Sequence, residues 1–116
     1  MQITERDVGP VKVLDVAGRL TLSDSPGRIK DRVTDLVFDG QRFIVLNMAQ
    51  VSYVDSSWLG ELVACHLAAV RGGSTVKLAN AGGRLDNLLH LTRLGTVIES
   101  HPSEQAALAS FPSVPA

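Results

Sequence analysis

The residues of this chain best suited to chemistry stand together at Asp55-Ser56-Ser57-Trp58. A serine hydroxyl can attack as a nucleophile, can accept a phosphoryl group from a kinase, or can simply cap the free N–H groups at a helix start. Nucleophilic attack needs a base, and His66, His90 and His101 show no spacing that brings an imidazole to Ser56. His66 falls two to three helical turns away, about 15 Å at 1.5 Å per residue. On residue chemistry alone the cap, worth about 1 kcal/mol, is the simplest reading, with phosphoacceptor the functional alternative. Other candidates carry less. Cys65 and His66 lack a second cysteine for a zinc site, and Gly72-Gly73-Ser74-Thr75 lacks the spacing and lysine of a phosphate loop. No catalytic residue, metal or cofactor is expected.

The elements that must position this run follow from its flanks. Phe43 to Met48 is almost continuously apolar and too short for a helix, so it reads as a strand buried on both faces. From Leu59 to Arg71 apolar residues recur at Leu62, Val63, His66 (through its carbon face) and Val70, which predicts a helix with one stripe on the sheet. Ser56 or Ser57 is the expected cap, with Asp55 capping the helix or tying the loop. A helix start after a buried strand also presents N–H groups and the positive end of the helix dipole, an environment that tolerates an anion.

The remaining chain supplies the frame. Residues 2–8 and 11–17, divided by Gly9-Pro10, predict an antiparallel edge hairpin. Residues 18–25 lead to Ser25-Pro26, a helix-start pair, and Ile29, Val33, Leu36 and Val37 predict a helix stopped at Asp39-Gly40. Thr75 to Ala79 reads as a strand, so strand, helix and strand form a parallel crossover that brings the 55–56 and 80–83 loops to one sheet edge. Leu85, Leu88, Leu89 and Thr92 predict a third helix ended by Gly95. A β-like stretch at 96–99 follows, then a last helix from Ser103 with Ala106, Ala107 and Leu108. Leu91 and Leu94 belong to the core series by default and would extend a partner surface if exposed.

The 116 residues fit one domain, expected over 1–110 with a fraying tail at 111–116. A net charge of −1 offers no basic field for nucleic acid or anionic membranes. No apolar run approaches the roughly 18 residues of a membrane span, and Met1 to Val8 lacks a signal-peptide pattern. Together with the single cysteine, this points to a cytoplasmic protein.

Val51-Ser52-Tyr53-Val54-Asp55-Ser56-Ser57, followed by Leu59-Gly60 and preceded by a strand ending Leu46-Asn47, resembles the STAS domain of bacterial anti-sigma-factor antagonists. Gly18-Arg19-Leu20 and the Ser103-Glu104-Gln105 helix start extend the resemblance over nearly the whole chain. It implies an α/β fold: a STAS-like mixed sheet of four to five strands, with an N-terminal hairpin and about four helices packed on it. It also implies a phosphorylation-switched binding module, not an enzyme, with Ser56 as the phosphoacceptor. By the same resemblance the partners are an anti-sigma factor that is a serine kinase and a metal-dependent serine phosphatase, and the protein is a monomer or weak dimer. The implied docking face is Asp55, Ser56, Ser57, Trp58, Leu59 and Gly60, with Thr21, Ser23 and Asp24 across the loop.

Two positions depart from the family pattern. Trp58 stands where glycine is usual, either as a partner anchor or as a packing residue. Thr21 stands where an aspartate often follows Gly-x-Leu; Asp24 either replaces that charge or competes with Ser23 and Ser25 to cap the next helix. The alternative function is a STAS module that is not phosphorylated and acts as a scaffold or ligand sensor.

Overall fold

The computed structural model describes residues 1–21, 23 and 27–112. β1 (Gln2–Val8) and β2 (Val11–Leu20) form the expected antiparallel hairpin around Gly9-Pro10, with Val8 opposite Val11. α1 (Arg28–Phe38) leads to β3 (Phe43–Val54), α2 (Leu59–Arg71), β4 (Thr75–Ala79), α3 (Gly82–Leu91), the two-residue β5 (Ser100–His101) and α4 (Glu104–Ala109). The strands lie in sequence order, and every pairing after the hairpin is parallel. This is the mixed sheet with four helices that the residue pattern predicts.

Strand alternation divides the core in two. Leu14, Val16, Ile44, Leu46, Val76 and Leu78 face α1, α2 and α3, meeting Ile29, Val33, Leu62, Cys65, Ala69, Leu85 and Leu89. Val11, Val13, Val45 and Ala79 face the other way, under Ala107 of α4 and Phe111. Phe111, expected to begin a frayed tail, is instead buried with its ring 5.0 Å from that of Phe43. Residues 113–116 lie outside the described part.

β2 and β3 run further than their apolar patterns suggest, to Leu20 and Val54 instead of Ala17 and Met48. Two register shifts, between Asp15 and Ala17 and between Gly18 and Arg19, each leave an extra residue on β3. Alternation breaks there, and exposed Ala49 and Gln50 interrupt the apolar run that marked the strand. Gly18 takes φ +100, and a Cβ at this position would stand 3.2 Å from the Met1 Cα. The segment expected as β-like at 96–99 is also different. Leu94–Thr96 is a 3-10 turn, and pairing to β4 is made by Ser100 and His101.

The buried face of α2 is rotated from the expected one. Leu59, Leu62, Cys65 and Ala69 are buried, whereas Val63 and His66 are half-buried and Val70 is 56% exposed. Trp58 accounts for the phase, because positions 58, 62, 65 and 69 form one stripe and Trp58 has no exposed surface.

Glu61 lies beside that stripe, buried, and its carboxylate reaches the first turn of α1. Oε1 accepts from the Gly27 N–H at 2.8 Å, and Oε2 accepts from Ile29 at 3.0 Å and Lys30 at 3.2 Å. The N-cap position, Gly27, has no side chain to do this. Ser25 and Pro26, the expected helix start, lie outside the described residues, so the described cap comes from a different helix.

On the α4 side a polar ladder crosses the sheet. Arg6 pairs with Asp15 at 2.5 and 3.0 Å and with Glu104 of α4. Asn47 donates to Asp15 at 2.8 Å, and Asn80 donates to Asn47 at 2.9 Å. The Arg6 guanidinium beside Asp15 holds that carboxyl below its ordinary value of 3.8, with Asn47 adding to the effect against partial burial.

Two outcomes follow. Glu61→Ala strips three N–H groups of their acceptor and should lower stability by about 2–4 kcal/mol in urea unfolding, with Glu61→Gln intermediate. A Glu61→Ala protein as stable as wild type would show that water caps α1 equally well. Because the Asp15 carboxyl is depressed in the folded state, its stabilisation is complete above pH about 4 and is lost as pH falls through the folded value. Asp15→Asn should therefore flatten the acid limb of a Tm-versus-pH curve below pH about 4.

Candidate functional site

The Asp-Ser-Ser run lies where β3 ends. Asp55 leaves the strand extended, at φ −121 and ψ 172, with its N–H directed to the Leu20 carbonyl at 3.4 Å. Ser56–Trp58 then form one 3-10 turn that leads directly into α2. The cap is Asp55, and neither serine takes that role. Its Oδ1 accepts from the Ser57 N–H at 3.1 Å and also from the Ser57 hydroxyl. Aspartate suits the position because its short carboxylate folds back onto an N–H two residues on and carries charge toward the helix dipole.

This arrangement separates the two serines. Ser57 is exposed but its hydroxyl is held by Asp55. Ser56 is exposed, and among the described residues its hydroxyl has no hydrogen-bond partner. Gly60 is also at the surface. Trp58 and Leu59 are not, with 0% and 7% of their surface exposed. Of the two alternatives for Trp58, packing is the one the fold adopts: its ring belongs to the cluster shared by the sheet and α1 to α3. Its indole Nε1–H is buried and has no partner among the described residues.

Across the loop, Thr21 is buried directly after β2, and its Oγ1 lies 3.2 Å from the hydroxyl of exposed Ser23. Both follow Leu20, whose carbonyl receives the Asp55 N–H, so this side of the expected face does adjoin the motif. Asp24 lies outside the described residues.

Two residues that sequence reasoning missed also meet the motif. Glu61 is one; its signal was a single carboxylate within the apolar run Leu59 to Cys65. Arg84 of α3 is the other. Its Nε–H donates to the Val54 carbonyl at 2.7 Å, and its guanidinium carbon lies 5.2 Å from the Tyr53 ring centroid. Arg19 of β2 stands over the same ring at 4.6 Å. The 80–83 loop was placed at this edge by the crossover argument, but which following side chain reaches back depends on the packing of α3.

The other reactive residues stay apart. His101 pairs with Glu99 at 3.1 Å, and no described histidine is hydrogen-bonded to Ser56 or Asp55. Cys65 is buried beside Glu61, and burial first, then that carboxylate, push its thiol up to about 12. Among the described residues no cluster of three histidine, cysteine or carboxylate side chains is placed to hold a metal. No described helix is long and apolar enough to cross a membrane.

A mixed sheet with three helices on one face, one on the other, and a capped Asp-Ser-Ser loop at the strand ends defines an α/β domain of STAS type. The STAS domain family matches residues 2–107, and the chain belongs to it. A putative anti-sigma factor antagonist from Thermotoga maritima is similar with TM-score 0.82 at 21% identity, over 92% of each chain. An anti-sigma factor antagonist from Mycobacterium paratuberculosis is similar with TM-score 0.78 at 20% identity, over 94% of this chain and 92% of that one. The Bacillus cell fate determinant SpoIIAA in its phosphorylated form gives TM-score 0.70 at 18% identity, over 93% of this chain and 97% of that one. At these identities the likeness is one of fold. No curated protein matches the sequence.

The burial of Trp58 sets a third expected outcome. Trp58→Ala should cost about 3–5 kcal/mol through lost packing and the cavity left behind. Trp58→Phe keeps a ring and removes an unsatisfied donor, so its net cost should be much smaller, about 1 kcal/mol. Equal losses in the two variants, measured by urea unfolding, would contradict this account of the site.

Proposed function

We propose that this protein is an anti-sigma-factor antagonist whose docking onto an anti-sigma factor serine kinase is switched by phosphorylation of Ser56. The observation that carries the reading is the exposed Ser56 hydroxyl, unpartnered among the described residues, beside a Ser57 that is already committed to Asp55. Of two adjacent serines, only one is presented without a bond to break.

Phosphorylation would add roughly −1.5 to −2 charges and three acceptor oxygens at the start of the turn into α2. The positive end of the helix dipole favours that charge, so the fold should persist. The Asp55 carboxylate adjoins it, so the local negative potential rises and an acidic partner face is repelled. Unphosphorylated protein would thus hold the kinase away from its sigma factor, phosphorylation would end docking, and a serine phosphatase would reset the system. In this reading the protein regulates transcription from the cytoplasm as a binding module, and the kinase and phosphatase supply the catalysis.

The surface available for docking is Asp55, Ser56, Ser57 and Gly60, with Ser23 alongside above the buried Thr21 and Asp24 joining them as proposed from the sequence. Trp58 and Leu59 support that surface from beneath, since both are buried. Burial of Trp58 leaves it no role as an exposed partner anchor, so a scaffold or ligand-sensing module gains no support from this residue.

Phosphoprotein mass spectrometry on the chain purified from its own cells under two growth conditions tests the reading. One phosphate on Ser56, varying in occupancy and absent in Ser56→Ala, is expected. Ser56→Asp should abolish binding to the copurifying kinase while shifting Tm by no more than about 2 °C. Partner binding with no phosphate under any condition would overturn the switch.

A further inference from the structure

We propose that Arg84 is the internal receptor for the phosphoryl group on Ser56, pairing its guanidinium with the phosphate monoester and so tying the start of α3 to the start of α2. The inference rests on Ser56 being the modified residue and adds how the modified state is held.

The geometry begins with the Val54 peptides. The Asp55 N–H is directed toward β2, to Leu20 O, so the carbonyl at the other end of that trans peptide, Val54 O, faces away from β2. Arg84 meets it there. The Nε–H bond of 2.7 Å anchors the guanidinium two residues before Ser56. Consecutive Cα atoms are about 3.8 Å apart, so Val54 and Ser56 are separated by no more than about 7.5 Å along the chain. A phosphoserine and the Nη end of an arginine each project several ångströms, which spans that interval.

The arginine is also prepared for an anion. Its guanidinium is placed by two contacts, the Val54 carbonyl and the half-buried Tyr53 ring 5.2 Å away, while the side chain itself is exposed. Among the described residues Arg84 has no carboxylate partner, and its hydrogen bond uses only Nε. The two Nη groups therefore remain as a fork, the arrangement that matches two oxygens of a phosphate. Arg19 stacks on the same ring, 4.6 Å from its centroid, and so helps to fix the Tyr53 side chain against which Arg84 lies.

Charge balance supplies the need. Among the described residues, the charged groups around the motif are Asp55 on its own loop, Arg19 from β2, Arg84 from α3 and the buried Glu61 on α2. Asp55 is committed to Ser57, so a phosphate on Ser56 would sit beside a like charge. Arg84 is the cation bonded to the backbone of that strand end, two residues before Ser56, and it is placed to offset the added charge. In the unmodified protein its fork stays exposed to solvent; in the modified protein the phosphate occupies it.

The test uses the full chain with phosphoserine installed genetically at position 56, so that its result does not depend on whether a cellular kinase acts there. Phosphorus NMR follows the second ionisation of the phosphate with pH. Pairing with Arg84 favours the dianion, so the midpoint should lie about one unit lower in the otherwise wild-type protein than in Arg84→Gln. Arg84→Lys, which keeps the charge but loses the fork, should fall between them. Matching midpoints for the wild-type background and Arg84→Gln would overturn the proposal while leaving the kinase switch untouched. A salt series on the phosphorylated protein without any substitution gives an answer even if Arg84→Gln fails to fold. Relative to a phosphoserine peptide in the same series, the midpoint should rise as about 1 M salt screens the pair, and a salt response equal to that of the peptide would overturn the proposal.

Discussion

The carboxylate of Glu61 joins the two helices on which the site depends. A buried carboxylate is costly unless hydrogen-bonded, and here three backbone N–H groups and the positive end of the α1 dipole offset that cost. Those N–H groups in turn have no side-chain cap from their own N-cap residue, Gly27. Each partner thus satisfies the other's deficit. Because α2 begins in the Asp-Ser-Ser turn, fixing α2 against α1 also fixes where Ser56 emerges. The close approach of the same helices at their far end, where a Cβ on Gly72 would stand 2.1 Å from Val37 Cγ1, holds the pair in one relative position.

The site combines a rigid base with one unconstrained group. Trp58 and Leu59 are locked into the core, Asp55 is bonded to Ser57, and Val54 is held on one side through its peptide to β2 and on the other by Arg84. Of the two serines, Ser56 carries the hydroxyl with no bond among the described residues, whereas that of Ser57 is held by Asp55. A charge added there changes the surface potential without breaking a contact that holds the fold. That is the physical requirement for a modification that alters recognition and spares stability. The indole N–H of Trp58, buried with no partner among the described residues, is a cost set against the apolar area that the ring fills beneath the turn.

On the opposite sheet face, α4 and the Ser110–Phe111 segment make a smaller contact. Lys77 is buried there with its ammonium bonded to the Ser110 carbonyl and hydroxyl, paired with Glu99 and 4.5 Å from the Phe111 ring centroid. Beside it, Arg6, Asp15, Asn47 and Asn80 carry hydrogen bonds from β1 across β2 and β3 to the residue that follows β4. The ladder closes that face where α4 is too short to cover it with apolar surface.

The sequence by itself determined the order and type of the principal elements, because periodicity and punctuation are local: the Gly9-Pro10 turn, the apolar Phe43 to Met48 run and the Ser103 cap are each read within a few residues. It also located the Asp55–Ser57 run at a strand-to-helix junction, and it carried the family resemblance. Properties that depend on distant residues were decided only by the tertiary structure. The bulged ends of β2 and β3 escaped notice because an extra residue inverts alternation, and the buried phase of α2 was misplaced because Trp58 sets it from outside the helix. Whether Trp58 faced solvent or core was undecidable from its own neighbours. Glu61 on α1 and Arg84 on Val54 O join residues about 30 positions apart, and chain folding alone brings such groups within hydrogen-bond range.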